Sequence, residues 1–407
     1  MSTAIGARAM TPPPPPPAST VGYLGWLRQN LFSSWGNSIL TVVLAVGLAW
    51  IAINLVGWLI FTADWEVITS RVPLYLVGLY PAEEYWRPQV CILLISTLLG
   101  ISWGIWGGAA RVFAVGLGGI IFVVAVLPHE MELFNRVLFL LNPVAIGFGY
   151  FAARPLGLHH AKRMVIVSTS IVIISMLLIR GIEGVPGLQP VNPQDIGGLM
   201  LNLLLALFGI SMSMPIGIGL ALGRQSNLPV VKVACVVFIE VIRGVPLITL
   251  LFMSRHILPL TFPSHINVSA LYLAAITITL FSSAYMAENV RGGMAAVSPG
   301  QTEAARALGL RGWQTTLLIT LPQGLRNIIP AIVGQFISLF KDTSLVFFIG
   351  MLDLVEMGRS ALQDSSLEFI DNGREVYLFI AVVFWVFCFS MSYVSRRIEG
   401  ALGVGRR

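Results

Sequence analysis

Ten apolar runs constrain this chain more than any other feature of its sequence. Each run holds about 16 to 27 residues, close to the ~20 residues that a helix needs to cross the hydrocarbon core of a bilayer. Only 11% of the residues are charged, whereas soluble domains carry about 25%. We therefore predict an all-α integral membrane protein with about ten transmembrane helices. The runs are Asn37–Phe61, Gln89–Gly108, Val112–Leu127, Val137–Ala153, Met164–Ile179, Ile196–Leu222, Val233–Met253, Val268–Asn289, Asn327–Met351 and Val376–Val394.

The arginines and lysines between the runs predict the orientation. With a cytoplasmic N-terminus, most of them fall in cytoplasmic segments, as the positive-inside rule requires. Both termini are then cytoplasmic, and no signal peptide is expected. The runs Val112–Leu127 and Val137–Ala153 are short, so a re-entrant loop is an alternative for each. We expect a proline-rich cytoplasmic tail (1–36), an N-terminal five-helix region (37–181), a C-terminal membrane domain (196–395) and a basic cytoplasmic tail (396–407).

One stretch, Ser298–Pro322, is polar and interrupts the apolar pattern. Pro299 suits the first turn of a helix, and Gly309 suits the left-handed conformation that ends one. A second short helix, Arg311–Thr320, should stop at Pro322. The pattern predicts a rigid helical insert on the cytoplasmic face that a partner protein can grip. An amphipathic helix at the membrane surface without a partner is the alternative.

The same stretch resembles the EAA loop of ABC importer permeases. The resemblance rests on eight residues at matching spacings: Gln301, Glu303, Ala304, Ala305, Gly309, Ile319, Leu321 and Pro322. In that family the loop forms a coupling helix that inserts into a cleft of a cytoplasmic ATP-binding subunit. The resemblance therefore implies that ATP and Mg²⁺ are bound by the partner ATPase, and that this chain carries no cofactor and no metal.

The second half of the chain resembles the amino-acid branch of these permeases. The matching stretches are Phe238–Leu247, Ala284–Gly293 and Lys341–Leu345, while Gly78–Pro88 resembles the membrane subunit of general L-amino-acid transporters. The resemblance implies a type I permease core of five helices preceded by five extra helices, in a bacterial inner membrane. It also implies L-amino acids of broad or polar specificity as substrates, a periplasmic amino-acid-binding protein, and either a sister permease or a second copy.

Ionisable residues within apolar runs are candidates for the substrate pathway, because charge in a bilayer is costly. Glu240 and Arg243 lie at i, i+3 and can pair; fixing helix packing is the alternative role. Gly244 and Pro246 are predicted to kink or unwind their helix, as in transporters beside substrates. Met214-Pro215 with Gly217 and Gly219 should weaken the preceding helix in the same way. Glu288 and Arg291 could instead brace the coupling loop, and Lys341 could pair with Asp342. The candidates are Glu240, Arg243, Tyr285, Glu288, Lys341, Asp342, Thr343 and Ser344.

Three further features carry weaker predictions. Gly100, Gly104 and Gly108 repeat every four residues, a pattern that favours close helix packing in lipid. The aromatic residues of Asp64–Arg87 suit anchoring at the membrane interface. The acidic stretch Asp353–Glu375 is a plausible docking surface for the binding protein.

Several functions are disfavoured by what the sequence lacks. No GxxxxGK[ST] motif is present, so we predict no ATP site of that kind and no enzymatic activity on this chain. The formal charge of +6 reflects cytoplasmic loops and predicts contact with the lipid bilayer, not with nucleic acid. A stand-alone ion-coupled carrier is the main alternative, but its inverted repeat is not evident. A structural scaffold is weaker, because it leaves the intramembrane charges unexplained.

Overall fold

The computed structural model describes residues 22–126, 133–154, 161–263, 268–363 and 369–402. Leu127, most of the proline-rich tail and the last five residues therefore lie outside the described residues. The helices in chain order are α1 (Gly22–Asn30), α2 (Trp35–Phe61), α3 (Glu66–Thr69), α4 (Val72–Val77), α5 (Trp86–Trp106), α6 (Gly108–Val126), α7 (Leu133–Ala153), α8 (Ala161–Arg180), α9 (Gly198–Arg224), α10 (Pro229–Gly244), α11 (Leu247–Phe252), α12 (Ala270–Ala295), α13 (Pro299–Ala307), α14 (Gly312–Thr315), α15 (Leu321–Asn327), α16 (Ile329–Asp342), α17 (Leu354–Leu362) and α18 (Gly373–Leu402).

The described helices match the ten predicted runs. Seven are long and apolar enough to cross a membrane, and α10 with the helices after it makes an eighth if that bent pair is one span. Shorter apolar helices lie at Ala110–Gly119 within α6 and Ile166–Arg180 within α8. The prediction of an all-α membrane protein with about ten helices is confirmed.

The chain divides into two compact units, Met1–Asp64 and Trp65–Arg407. In the first unit, the Ser34 side chain accepts the Asn37 N–H at 3.2 Å and so caps the start of α2. No residue of α2 is buried, so the helix offers an apolar surface on all sides. A helix of this kind is stable in lipid, where its backbone groups are satisfied internally.

In the second unit, α9 and α12 pack against each other along most of their lengths, with α16 and α18 beside them. Among the predicted N-terminal helices, α8 packs on α5 and α9, while α6 packs on α7 and α18. The predicted close helix packing at Gly100, Gly104 and Gly108 is found at two of the three glycines. A Cβ at Gly100 would lie 2.1 Å from the Ile146 carbonyl oxygen, and one at Gly104 would clash with Ala153, whereas Gly108 has nothing within 4 Å.

The two predicted helix breaks have different outcomes. The chain bends by 107° between α10 and the helical segment that starts at Leu247, as Gly244 and Pro246 predict. Helix α9 instead continues through Pro215 without interruption, so the chain does not unwind there. Proline removes one backbone donor, but α9 is held along its length by α12, and packing of this kind keeps a proline-containing membrane helix intact.

The stretch Trp65–Arg87, here called the junction segment, packs on α17 and α18. Val67, Ile68 and Tyr75 are buried in one apolar cluster with Leu354 of α17 and Val376 of α18. Tyr75, one of the predicted interfacial aromatic residues, therefore lies inside the protein. Burial of this apolar area stabilises the segment on the two helices.

Backbone contacts hold the junction segment to two other parts of the chain. Gly197 donates its N–H to the Val77 carbonyl at 3.3 Å, and Gly198 donates to the Leu352 carbonyl at 2.8 Å. Gly78 and Gly198 have φ of +72° and +60°, and a Cβ at Gly78 would lie 2.6 Å from the Gly197 Cα. Only glycine permits both the positive φ and this approach.

Candidate functional site

The polar insert between α12 and α16 begins with α13. Pro299 is the first residue of this helix, where its missing N–H costs no intrahelical bond. The helix ends in a Schellman motif: Gly309 donates to the Arg306 carbonyl at 2.9 Å, and Leu310 donates to the Ala305 carbonyl at 3.1 Å. Gly309 has φ of +79°. The predicted helix and its left-handed terminator are confirmed, and the turn after α13 is rigidly defined.

The second arm of the insert differs from the prediction. After α14 the chain forms a wide π-helical turn, Thr316–Thr320, and continues directly into α15. Pro322 is the second residue of α15, so it does not stop the second helix. The π-helical turn, in which the Leu321 N–H reaches the Thr316 carbonyl, gives the chain a wider turn before Pro322, so the helix continues although proline lacks an N–H donor.

The insert exposes the surface that a partner would meet. Gln301, Glu303 and Ala304 are exposed, Ala305 is buried, Ile319 and Leu321 are half-buried, and Pro322 is exposed. Sequence reasoning missed the exposed apolar residues of the insert, which are Leu308 (83% exposed), Trp313 (61%), Leu317 (43%) and Leu318 (62%). Large apolar side chains that protrude from a polar insert mark a protein-contact surface. Their apolar character within so polar a stretch was the available signal.

A close glycine contact attaches the insert to the membrane helices. A Cβ at Gly293, near the end of α12, would lie 2.5 Å from the Gly324 carbonyl oxygen of α15. The Ile328 side chain lies equally close, 2.6 Å from the same Cβ position. Helix α15 and the end of α12 are therefore closely packed.

Five ionisable residues meet near this end of α9, α10 and α12. Arg224 Nη1 lies 3.0 Å from Glu240 Oε1 and 3.4 Å from Glu288 Oε2. Arg291 Nε donates to Glu288 Oε1 at 2.9 Å, and Arg243 Nη1 lies 4.0 Å from Glu288. These residues, Arg224, Glu240, Arg243, Glu288 and Arg291, are called the arginine cluster below.

The cluster corrects one prediction. Glu240 pairs with Arg224 of the neighbouring helix, and the described ion pairs do not include one between Glu240 and Arg243. Glu288 binds Arg291 of its own helix and also Arg224 of α9. That Glu288 and Arg291 brace the coupling loop stays a prediction. Sequence reasoning missed Arg224, because only the fold brings the end of α9 to α10 and α12.

Arg243 is the least satisfied cation of the cluster within the described residues. Its only ion pair there is the longest of the cluster, 4.0 Å to Glu288. Its Nε is buried with no hydrogen-bond partner, and its guanidinium lies 5.4 Å from the centre of the Tyr285 ring. Three arginines and two glutamates leave one net positive charge. This site can accept a carboxylate.

The four residues Lys341–Ser344 differ in burial and in their hydrogen-bond partners. Lys341 is exposed, and the described ion pairs do not include one with Asp342, whose Oδ2 accepts the Ser338 hydroxyl at 3.5 Å. The Ser344 hydroxyl donates to the Lys341 carbonyl at 2.8 Å. Thr343 is fully buried, and its hydroxyl donates to the Phe340 carbonyl at 2.6 Å. The Thr343 side chain is therefore engaged by hydrogen bonds within the fold.

Asn202 of α9 explains the position of Thr343. This buried side chain donates from Nδ2 to the Thr343 hydroxyl at 3.0 Å and to Asp353 Oδ2 at 3.4 Å, and its Oδ1 accepts the Leu354 N–H at 3.0 Å. One amide thus connects α9, the end of α16 and the start of α17. An asparagine inside an apolar run was the signal in the sequence.

Asp353 and Glu375 are both buried, so these two residues of the acidic stretch cannot form the predicted docking surface. Asp353 caps α17 by accepting the backbone N–H groups of Val355 and Glu356. Burial raises the pKa of Asp353 to about 6, against the lowering effect of those hydrogen bonds. Asp364 and Glu368, in the same stretch, lie outside the described residues.

The chain is similar to known membrane transport proteins. Residues 213–403 match the family model described as "Binding-protein-dependent transport system inner membrane component". The chain is 36% identical to the inner membrane amino-acid ABC transporter permease protein YhdY of Escherichia coli, over 94% of this chain and 93% of that protein. It is 35% identical to the glutamate/glutamine/aspartate/asparagine transport system permease protein BztC of Rhodobacter capsulatus, over 94% of each chain.

A shorter relative shows that these permeases occur in two sizes. The probable amino-acid permease protein YxeN of Bacillus subtilis is 33% identical over 92% of its own length, which covers only 52% of this chain. The long relatives match along nearly the full length of both chains. With its type I permease domain in the C-terminal half, the chain belongs to the family of amino-acid ABC transporter permeases.

Proposed function

We propose that this permease imports polar L-amino acids into the cytoplasm and is driven by ATP hydrolysis on cytoplasmic subunits that grip Ser298–Pro322. The observation that carries the proposal is α13, a short helix with an EAA signature, a rigid Schellman terminus and an exposed Leu308 at its tip. A partner that pushes on this helix acts on α12 through the contact of Gly293 with Gly324.

The partners follow from the same proposal. ATP and Mg²⁺ are bound by the ATPase subunits, and a periplasmic amino-acid-binding protein delivers the substrate. A second copy or a sister permease completes the translocation pathway. The protein lies in a bacterial inner membrane with both termini in the cytoplasm, which places the insert on the side of the ATPase.

The arginine cluster supports the class of substrate. A relative at 35% identity carries glutamate, glutamine, aspartate and asparagine in its name. Every amino acid has an α-carboxylate, and Arg243 has an unpaired buried Nε and a distant ion-pair partner. We assign the contact with a substrate carboxylate to Arg243, with Tyr285 and Glu288 beside it. Lys341, Asp342 and Ser344 stay candidates for the pathway.

Two glycines of the insert allow a matched test of coupling. Gly309→Ala places a Cβ at a residue with φ of +79°, which costs about 1–2 kcal/mol and distorts the turn after α13. Gly312→Ala is the control, because that residue has no positive φ and open space around it. We expect Gly309→Ala to reduce both co-purification of the ATPase and amino-acid uptake about tenfold, and Gly312→Ala to change neither.

The measurement is a pull-down of the tagged chain in mild detergent, followed by ATP-driven uptake in proteoliposomes. If Gly309→Ala and Gly312→Ala show the same co-purification of the ATPase and the same uptake, the insert has no coupling role. A chain that purifies without any ATPase and takes up amino acids on an ion gradient would overturn the proposal in favour of a stand-alone carrier.

A further inference from the structure

The junction segment is fixed to both ends of α17. At the start of α17, Gly198 donates to the Leu352 carbonyl at 2.8 Å and also packs against the junction segment at Tyr75. At the other end, Arg71 Nη1 donates to the Ala361 carbonyl at 3.2 Å. A cation on the last carbonyls of a helix is favourable. The segment and α17 are thus bound at two separated points.

Buried side chains fill the space between these points. Tyr75 is almost fully buried; its hydroxyl donates to the Val67 carbonyl at 3.3 Å and its ring meets the Phe379 ring edge-on at 5.3 Å. The Arg71 guanidinium lies 5.1 Å from the centre of the Phe369 ring. An interior packed in this way moves as one body.

This body lies at the opposite end of the protein from the coupling insert. Helix α9 has 27 residues and is therefore about 40 Å long. Its last residue, Arg224, pairs with Glu288 near the end of α12 that leads into the insert. Its first residue, Gly198, contacts the junction segment. The substrate-binding protein of an importer must arrive at this end.

We propose that the junction segment and α17 together form the docking surface for the amino-acid-loaded binding protein, so that part of this surface comes from the N-terminal region. The proposal rests on the proposed function, because it needs an importer that works with a binding protein. It gives the N-terminal region of the long permeases a role in recognition of the partner.

The exposed side of this body is polar and of mixed charge. Glu83 of the junction segment is exposed, and on α17 Glu356 and Arg359 form an ion pair at 3.9 Å. Asp371, before α18, and Arg374, in the first turn of α18, are exposed as well. Such charges would be costly against lipid tails, whereas a polar rim around a small apolar area is typical of non-obligate protein interfaces. Leu79, 55% exposed, supplies apolar area.

A route leads from this surface to the membrane helices. Asp353, the cap of α17, accepts a hydrogen bond from Asn202 of α9, and Asn202 also binds Thr343 at the end of α16. A partner that shifts α17 therefore acts on α9 and α16. Two-state movement of such a packed element is how binding at one face changes another.

The test titrates the amino-acid-loaded binding protein against the complete transporter in lipid nanodiscs and measures ATP hydrolysis. Glu83→Lys changes the junction segment and Glu356→Lys changes α17. Glu183→Lys is the matched control, an equally exposed glutamate in the loop before α9. We expect the first two to raise the half-saturating concentration of binding protein about tenfold with the maximal rate unchanged, because charge reversal at an interface weakens association. The control should stay within twofold.

Cross-linking provides a second measurement that does not depend on charge. A thiol-reactive photo-cross-linker on Glu83→Cys should capture the binding protein, and one on Glu183→Cys should not. If Glu83→Lys behaves like the control and Glu83→Cys yields no cross-link, the junction segment takes no part in docking and the proposal is overturned. If the unaltered transporter shows no stimulation by the binding protein, the proposed function itself fails.

Discussion

Asn202 offers the sharpest test of how the membrane helices are held together. The substitution Asn202→Leu keeps the number and branching of the side-chain heavy atoms but removes all three of its hydrogen bonds, to Thr343, Asp353 and Leu354. Since Asn202 is fully buried, water cannot replace them. Thr343 keeps its bond to the Phe340 carbonyl, so the loss falls mainly on the Leu354 N–H and on Asp353.

The expected loss of stability follows from the Leu354 N–H and the Asp353 carboxylate, which both lose a hydrogen bond. A buried donor left without an acceptor costs about 1–3 kcal/mol, and a hydrogen bond to a charged group is worth about 1.5–3 kcal/mol. The gain from burying a leucine offsets part of this, about 1 kcal/mol. We therefore expect Asn202→Leu to lower the free energy of unfolding by about 3 kcal/mol.

The assay is SDS-induced unfolding of the purified protein in mixed micelles, followed by the fluorescence of its ten tryptophans. Asn192→Leu is the control, because Asn192 is exposed and its side chain accepts the nearby Gln194 N–H at 3.1 Å. The control should stay within about 0.5 kcal/mol. A loss below about 1 kcal/mol in Asn202→Leu would refute the reasoning, because the orphaned Leu354 N–H would then have found another partner.

Two further predictions concern charged groups. The pKa of Asp353 is raised to about 6, so its contribution to stability is complete below the unfolded pKa near 4 and is lost as the pH rises through 6, by up to about 3 kcal/mol. Stability measured from pH 4 to 8 should show this fall in the parent protein and less of it in Asp353→Asn; equal curves would contradict the assignment. Arg243→Gln should lower uptake of a preferred amino acid at least tenfold while ATPase binding is kept, whereas unchanged uptake would exclude Arg243 from the pathway.

The sequence predicted the membrane fold because lipid imposes strong local rules. Every apolar run of sufficient length must satisfy its backbone internally, so each of the ten runs became a helix. The form of the coupling insert could also be predicted from the sequence. Pro299 and Gly309 act on their own neighbours, and their roles as the first residue and the terminator of a helix are confirmed. The prediction that Pro322 stops the second helix of the insert is wrong, because the wide π-helical turn before it allows the chain to continue as helix.

The contacts between distant helices could not be read from the chain. Glu240 and Arg243 are close in sequence and of opposite charge, yet Glu240 binds Arg224, because α9 ends beside α10 and offers a better geometry. Asp353 was assigned to an exposed acidic surface, but the fold buries it as the cap of α17. Spacing along one helix says nothing about which neighbour arrives from another.

Sequence alone was enough to predict the class of protein, the number of its transmembrane helices and the rigid form of the coupling insert, since all three depend on residues within one or two turns of each other. Tertiary contacts were needed to show that the junction segment packs on α17 and that one asparagine connects three helices. The same holds for the unmet hydrogen-bond donor of Arg243. These arrangements depend on long-range packing, where glycines such as Gly78 and Gly197 allow backbones to touch. No local sequence pattern predicts which backbones come into contact.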